Sequence, residues 1–336
     1  MSREDRAALA AAIEENVCII VLGNTGCGKT TQLPQLLLEA GFGPVCVTQP
    51  RRVAAIAAAR RVAQERGSSV GKEVGYAIRF EQACGASTRI KFVTDGVLLR
   101  EAVAEPDLPR YGAIVLDEAH ERSLNTDVLL TIMKRMLVDL RAGTGAIRGP
   151  QRIVISSATL DAQRFSAFFC GAPVVEISSR TFPVAIHHVA KPLGSDAARL
   201  EAALGVAMRV HSQRPAGPNQ DILLFLSGQD EIGTATFAAR GLAAELRETE
   251  GALPELLVLP LHSAMPSAEQ ARVFAPAPPG TRRLILATNI AETSLTLPGV
   301  CVVIDPGVAK EKRYERDKRM EVLLDVWIRV TGALCA

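Results

Sequence analysis

The chain has no long apolar run, no paired-cysteine spacing and almost no net charge, and each absence removes a class of function. Near the N-terminus the longest clean apolar stretch is Val17 to Leu22. That is far short of the ~20 residues a bilayer span needs, and acidic Glu4, Asp5, Glu14 and Glu15 precede it, so a membrane or secreted protein is not expected. The seven cysteines (Cys18, Cys27, Cys46, Cys84, Cys170, Cys301, Cys335) are odd in number, sit mostly in apolar runs and form no C-x-x-C pair. Buried thiols in a reducing compartment are expected rather than disulfides or zinc. His187, His188, His211 and His262 have no carboxylate or cysteine at ligand spacing, which argues against a metal centre built on them. With 38 basic against 36 acidic residues the net charge is +2, so a nucleic-acid partner would have to be held by local patches and not by a global field.

What is present is an ordinary globular composition, 48% hydrophobic and 22% charged over 336 residues, which excludes wholesale disorder and suits about two domains. Short β-branched runs alternate with Ala/Leu-rich amphipathic stretches and no short-period repeat is visible, the pattern of helix-covered parallel sheets. In the first half the expected strands are Val17–Leu22, Pro44–Thr48, Ile90–Thr94, Ala113–Asp117 and Arg152–Ser156, with helices at Lys29–Ala40, Arg51–Arg66, Asp95–Ala104 and Asn125–Leu140. The last carries Leu129, Ile132, Met133, Met136, Leu137 and Leu140 as a stripe at helical spacing. The second half adds expected strands Pro183–Val189, Asp221–Leu226, Glu255–Leu259, Arg282–Ala287 and Gly299–Asp305 and helices Ala197–His211, Gln229–Leu246 and Ser267–Phe274. The expected fold is α/β, two tandem parallel-sheet domains, 1–178 and 179–336, with a cleft between them where ligands of open sheets collect.

Gly23-Asn24-Thr25-Gly26-Cys27-Gly28-Lys29-Thr30 fits G-x-x-x-x-G-K-[ST] between an expected strand and an expected helix. Glycines let successive N–H groups turn around an anion, the helix start adds partial positive charge, and Lys29 reaches the terminal phosphates of ATP or another nucleoside triphosphate. Thr30 is placed to hold Mg²⁺. Asp117 ends an apolar strand where its carboxylate meets that metal, and Glu118 is placed to orient the attacking water.

Asp117-Glu118-Ala119-His120 is the signature of the DEAH-box RNA helicases, and the chain resembles that family in the order and spacing of further motifs. They are Thr48–Ala55, Thr94–Glu101, Ser157-Ala158-Thr159, Leu224–Ile232 and Ala287–Thr296. The resemblance runs from about residue 10 to about residue 324 and implies two RecA-like domains, nucleotide hydrolysis and RNA remodelling. It implies nucleotide contacts at Gly23, Thr25, Gly26, Cys27, Gly28, Lys29, Thr30 and Thr31, and catalysis by Lys29, Asp117, Glu118 and His120. The base would be clamped by Arg61 and Phe274, positions equally compatible with a solvated helix residue and a core ring. Ser157 and Thr159 would relay nucleotide state, or simply cap a strand end. RNA would be held by Arg51, Arg52, Thr94, Asp95, Arg180, Ser227, Gly228, Thr288, Asn289 and Thr293, through backbone contacts that read no base edges. An activating protein partner is conceivable, no membrane is implied, and an intracellular setting leaves nucleus and cytoplasm open. Lys310–Glu321 reads as a solvated hairpin, which in the family helps to part strands.

The chain departs from the family after that hairpin. No Q-R-x-G-R-x-G-R segment occurs, and the arginines of that motif reach the γ-phosphate in the family. An arginine finger is worth ~10³–10⁵ in rate in this reaction class, so a catalytically incomplete nucleotide- and RNA-binding fragment is the alternative expectation. A P-loop kinase or transporter ATPase would leave Thr288–Thr296 unexplained.

Overall fold

The computed structural model describes residues 1–24, 26–142, 149–158, 161–178, 183–189, 194–214, 217, 219–251, 253–291, 297–315 and 320–327. The chain divides into two compact units, Met1–Pro183 and Val184–Ala336.

In the first unit the elements run α1 (Arg3–Glu15), β1 (Cys18–Leu22), α2 (Lys29–Glu39), β2 (Val45–Gln49), α3 (Arg52–Glu65), β3 (Val74–Ile78), β4 (Glu81–Ala83) and β5 (Ile90–Thr94). They continue with α4 (Asp95–Ala104), β6 (Ala113–Leu116), α5 (Leu124–Ala142), β7 (Arg152–Ser157), α6 (Ala162–Phe168) and β8 (Val174–Glu176). The sheet order is β4-β3-β5-β2-β6-β7-β1-β8, and only the β3–β4 pair is antiparallel. Each central strand is apolar on both faces because helices cover both. Ile19 and Val21 of β1, Val45 and Val47 of β2 and Val115 of β6 join Leu9, Leu33, Leu37 and Val62 on the α1–α3 side. Their alternates Ile20, Cys46, Ile114 and Leu116 join Leu98, Leu129, Met133 and Leu137 on the α4–α5 side. Of the expected α5 stripe, Leu129, Met133, Met136 and Leu137 are buried in this cluster and Ile132 packs against it, while Leu130 joins them and Leu140 does not.

In the second unit come α7 (Asp196–Gln213), β9 (Asp221–Phe225), α8 (Gln229–Glu250), β10 (Glu255–Leu261) and α9 (Ser267–Gln270), which tightens into a 3₁₀ turn at Ala271–Phe274. β11 (Thr281–Ala287), β12 (Val300–Ile304), β13 (Val308–Glu315) and β14 (Met320–Trp327) follow. β10-β11-β9-β12 form a parallel sheet, and β13–β14 an antiparallel hairpin. Ile222, Leu224, Leu284 and Leu286 pack with Leu204, Met208, Ile232 and Ala235 of α7 and α8.

Three expectations need correction. Pro183–Val189 is not a strand: its alternation is present, but Val184, Ile186 and Val189 are exposed and no described strand pairs with them, so the pattern has no core to face. α1, α6, β3, β4 and β8 were not expected. Nor are the cysteines uniformly buried, since Cys170 and Cys301 are exposed, while Cys18, Cys27 and Cys46 lie in the core.

The second sheet is tied by an ion pair inside it. Asp221 and Arg283 are 4% and 3% exposed and meet at 2.6 Å. Removing one partner from such a pair strands a buried charge. We expect Asp221→Ala to destabilise this unit by about 3–5 kcal/mol, measured by urea unfolding, whereas an exposed pair such as Arg6–Glu39 should cost under about 1 kcal/mol.

Candidate active site

The chain leaves β1 at Leu22 and enters α2 at Lys29 through a loop in which Gly26 and Gly28 have φ of 82° and 92°. Left-handed backbone of this kind favours glycine, and it brings the helix start directly after the strand. Cys27 is buried between them. Lys29 is 4% exposed, and its ammonium donates to the carbonyls of Gly23 and Asn24. The Thr31 hydroxyl donates to the carbonyl of Gly28 at 3.3 Å. Thr25 lies outside the described residues.

Parallel pairing sets the acidic side. Thr48 of β2 stands opposite Leu116 of β6, so the next residues, Gln49 and Asp117, leave the same sheet edge together. Asp117 is 1% exposed. Its Oδ2 accepts from the Thr30 hydroxyl at 2.5 Å and from Gln49 Nε2 at 2.7 Å, and its Oδ1 accepts the Glu118 N–H at 3.0 Å. Gln49 is not among the site residues expected from the sequence. An amide ending an otherwise apolar buried strand was the available signal.

Glu118 has φ of 53°, strained for a non-glycine residue by about 1–3 kcal/mol, and opens the 3₁₀ turn Ala119–Glu121. It is 6% exposed. Burial, and after it the neighbouring Asp117 carboxylate, raises its pKa well above the usual carboxylate range. His120 Nδ1 lies 3.2 Å from Ser157 Oγ and accepts the Ala158 N–H at 3.4 Å. A nitrogen that accepts an N–H carries no proton, and burial lowers the His120 pKa in agreement. The 3.4 Å approach of Glu118 Oε2 to this nitrogen is therefore not a charged pair, because the imidazole is neutral. Thr159 lies outside the described residues.

The expected RNA contacts of the first unit also share an edge. Gln49 and Thr94 are opposite each other in β2 and β5, which brings the starts of α3 and α4 together, with Arg51, Arg52, Thr94 and Asp95. Arg52 is exposed, while Arg51 approaches Glu121 at 3.7 Å. The Asp95 side chain is 4% exposed and accepts from the Thr126 and Ser123 hydroxyls at 2.6 and 3.4 Å, so its carboxylate braces the α4–α5 junction and does not face outward. Burial raises its pKa. Arg180 lies outside the described residues. In the second unit Ala287 pairs with Phe225, and Ser227, Gly228, Thr288 and Asn289 follow these two strand ends. The Ser227 N–H donates to Glu231 Oε2 at 2.7 Å and the Thr288 N–H to the Leu261 carbonyl at 3.2 Å. Thr293 lies outside the described residues.

Arg61 is exposed on α3 and pairs with Glu65 at 2.7 Å. Phe274 ends the 3₁₀ turn of the second unit, half-buried. Among the described residues no helix is long and apolar enough to cross a membrane.

Comparison with known proteins follows the same division. A family model described as DEAD/DEAH box helicase matches residues 3–167, and a helicase conserved C-terminal domain model matches residues 211–320. The chain is 44% identical over 307 residues to the human ATP-dependent RNA helicase DHX33, a match covering 90% of this chain and 42% of that protein. Its structure is similar to that of the Escherichia coli DEAH/RHA helicase HrpB, with a TM-score of 0.80 at 31% identity, covering 98% of this chain and 40% of that one. The chain thus spans about two-fifths of the length of either relative.

The three donors on Asp117 give a test of the site's own bracing. We expect Gln49→Leu to leave a buried carboxylate one donor short and to cost about 1–3 kcal/mol, measured by urea unfolding of the variant beside the parent chain.

Proposed function

The chain belongs to the DEAD/DEAH box helicase family, with two tandem RecA-like domains, and we propose that it is the nucleotide-hydrolysing, RNA-binding core of an ATP-dependent RNA helicase. The observation that carries this reading is the convergence of Lys29, Thr30, Gln49, Asp117, Glu118 and His120 at one edge of the first sheet. Gly23, Gly26 and Gly28, with Thr25, Cys27 and Thr31, would wrap backbone N–H groups around the phosphates. Lys29 would exchange the carbonyls of Gly23 and Asn24 for phosphate oxygens. The Thr30 hydroxyl and the Asp117 carboxylate, 2.5 Å apart, are hard oxygen donors of the kind Mg²⁺ selects, and they fit that ion. Bound there, Mg²⁺ would neutralise charge developing on the transferred phosphoryl group. Glu118 would accept a proton from the attacking water. His120, held neutral against Ser157 and Ala158, would register the state of this carboxylate and pass it to Ser157 and Thr159.

Arg61 and Phe274 would hold the base by stacking, which any base satisfies. RNA would be held by the strand-end residues Arg51, Arg52, Thr94, Ser227, Gly228, Thr288 and Asn289, with Arg180 and Thr293 added on the family resemblance and Asp95 acting only as a brace. Hydroxyls, amides and helix starts favour phosphate and 2′-OH contacts, so binding would tolerate any sequence. An intracellular setting, in nucleus or cytoplasm, follows from an RNA substrate, and an activating protein partner is compatible with it.

The 336 residues hold no Q-R-x-G-R-x-G-R segment, so the test separates binding from turnover. ATP affinity and RNA-stimulated ATP hydrolysis would be measured on this chain, on Lys29→Ala and on Glu118→Gln. We expect Lys29→Ala to lose ATP binding by at least roughly tenfold, because charge-assisted phosphate contacts are the strong ones, with unfolding unchanged. Where the parent turns over, Glu118→Gln should keep ATP affinity and lose about 10²–10⁴ in rate. Unaltered ATP affinity in Lys29→Ala would remove the site assignment. Binding without turnover in the parent would identify the incomplete-core alternative.

A further inference from the structure

One guanidinium in the second unit ties together more of the chain than its ion pair requires. Arg283, the third residue of β11, donates through Nε and Nη2 to Oδ2 of Asp221 at 2.8 and 2.6 Å, while Oδ1 of Asp221 accepts the Arg283 backbone N–H at 2.8 Å. Nη2 also donates to the carbonyl of Pro298, just before β12. The remaining nitrogen, Nη1, donates to the carbonyls of Val273 at 2.9 Å and Ala275 at 2.5 Å. These carbonyls flank Phe274 on both sides. The arrangement is tight: a Cβ on Gly299, whose φ is 92°, would lie 2.5 Å from Asp221 Oδ2 and 2.8 Å from Arg283 Nη2.

The pair with Asp221 already satisfies the buried charge. The two bonds from Nη1 do something else, because a 3₁₀ turn of four residues, Ala271–Phe274, has little hydrogen bonding of its own to fix where its last side chain points. A planar fork with five donors can bridge a carboxylate and two carbonyls at once, and an ammonium cannot.

We infer that Arg283 is a positioning residue for the nucleotide base: by pinning the backbone before and after Phe274 it holds that ring ready to stack. The inference rests on the proposed stacking of the base on Phe274. A ring fixed in advance loses little freedom on binding, so the whole stacking contribution appears as affinity. Arg283 itself touches no ligand.

The test is a double-mutant cycle on this chain, with Arg283→Lys, Phe274→Ala and the double variant, read by calorimetric affinity for ATP and for inorganic tripolyphosphate. Lysine keeps a positive charge beside Asp221 and so preserves the fold while giving up the bridge to Val273 and Ala275. Phe274→Ala should weaken ATP binding about tenfold, the lower part of the range for loss of one base–aromatic stack, and leave tripolyphosphate unchanged. Arg283→Lys should weaken ATP binding roughly three- to tenfold, again without effect on tripolyphosphate, and should cause no further loss in the Phe274→Ala background. Equal loss for both ligands, or the same loss with and without the ring, would make Arg283 merely structural and overturn the inference alone. Full ATP affinity in Arg283→Lys would also overturn it. Full ATP affinity in Phe274→Ala would instead remove the stacking reading and the inference with it.

Discussion

A single carboxylate oxygen, Oδ2 of Asp117, decides how the first sheet must be assembled. It accepts from Thr30, 87 residues earlier, and from Gln49, 68 residues earlier, and at 1% exposure water cannot replace either donor. A carboxylate in that position without partners would be too costly to keep. The start of α2 and the ends of β2 and β6 therefore have to arrive at one level. A slip of β6 by one residue would turn its core-facing side chains to the opposite face and carry Asp117 away from both donors. The same register that packs Ile114 and Leu116 on one side and Ala113 and Val115 on the other is the one that completes the proposed phosphate site.

The chemistry follows from burial acting on groups of opposite charge. Lys29 is buried but not stranded, because its ammonium bonds to the carbonyls of Gly23 and Asn24. A phosphate oxygen would offer it a negatively charged acceptor in place of two neutral carbonyls. The proposed nucleotide binding at this lysine would then be an exchange of partners and not the creation of a charge pair from open solvent. Glu118 is buried next to a second carboxylate. Burial and Asp117 push its proton affinity up, the direction a general base requires, and the left-handed backbone at Glu118 turns the chain from β6 into the 3₁₀ turn Ala119–Glu121.

The parts of this structure that were legible in the sequence are those where one residue type alone meets a physical demand. Gly26 and Gly28 could be read because left-handed backbone next to an anion site excludes side chains, and Ala113–Asp117 because an apolar strand ending in a carboxylate is a distinctive pattern. The illegible parts are polar residues whose partners are remote in sequence. Gln49 and Asp95 resemble any strand-end or helix-start polar residue until the sheet order puts Asp117 and Thr126 beside them. Arg282 and Arg283 look like a solvated pair at the start of a strand. Instead both are buried, Arg282 donating to the carbonyls of Val210, His211 and Arg214 at the end of α7 and Arg283 to Asp221. Local pattern misleads in the other direction at Pro183–Val189, where alternation exists but no partner strand is described. β3 and β4 are illegible because their hairpin is short and Gly75 within it weakens the strand signal.

The second sheet places its two proposed duties at opposite ends of the same strands. Ser227 and Thr288 follow the C-terminal ends of β9 and β11, whereas Asp221 opens β9 and Arg283 lies near the start of β11, and it is there that Phe274 is fixed. From Arg283 to Thr288 is five residues of strand, about 17 Å at the usual rise per residue. Over that distance β11 is hydrogen-bonded on both sides, to β10 and β9, and its side chains are buried throughout. A close-packed strand of this kind does not bend or compress appreciably, so the two proposed contacts would keep a fixed spacing along β11. The bonds of Arg283 to the carbonyls of Val273 and Ala275 would extend that fixed spacing to the backbone on either side of Phe274.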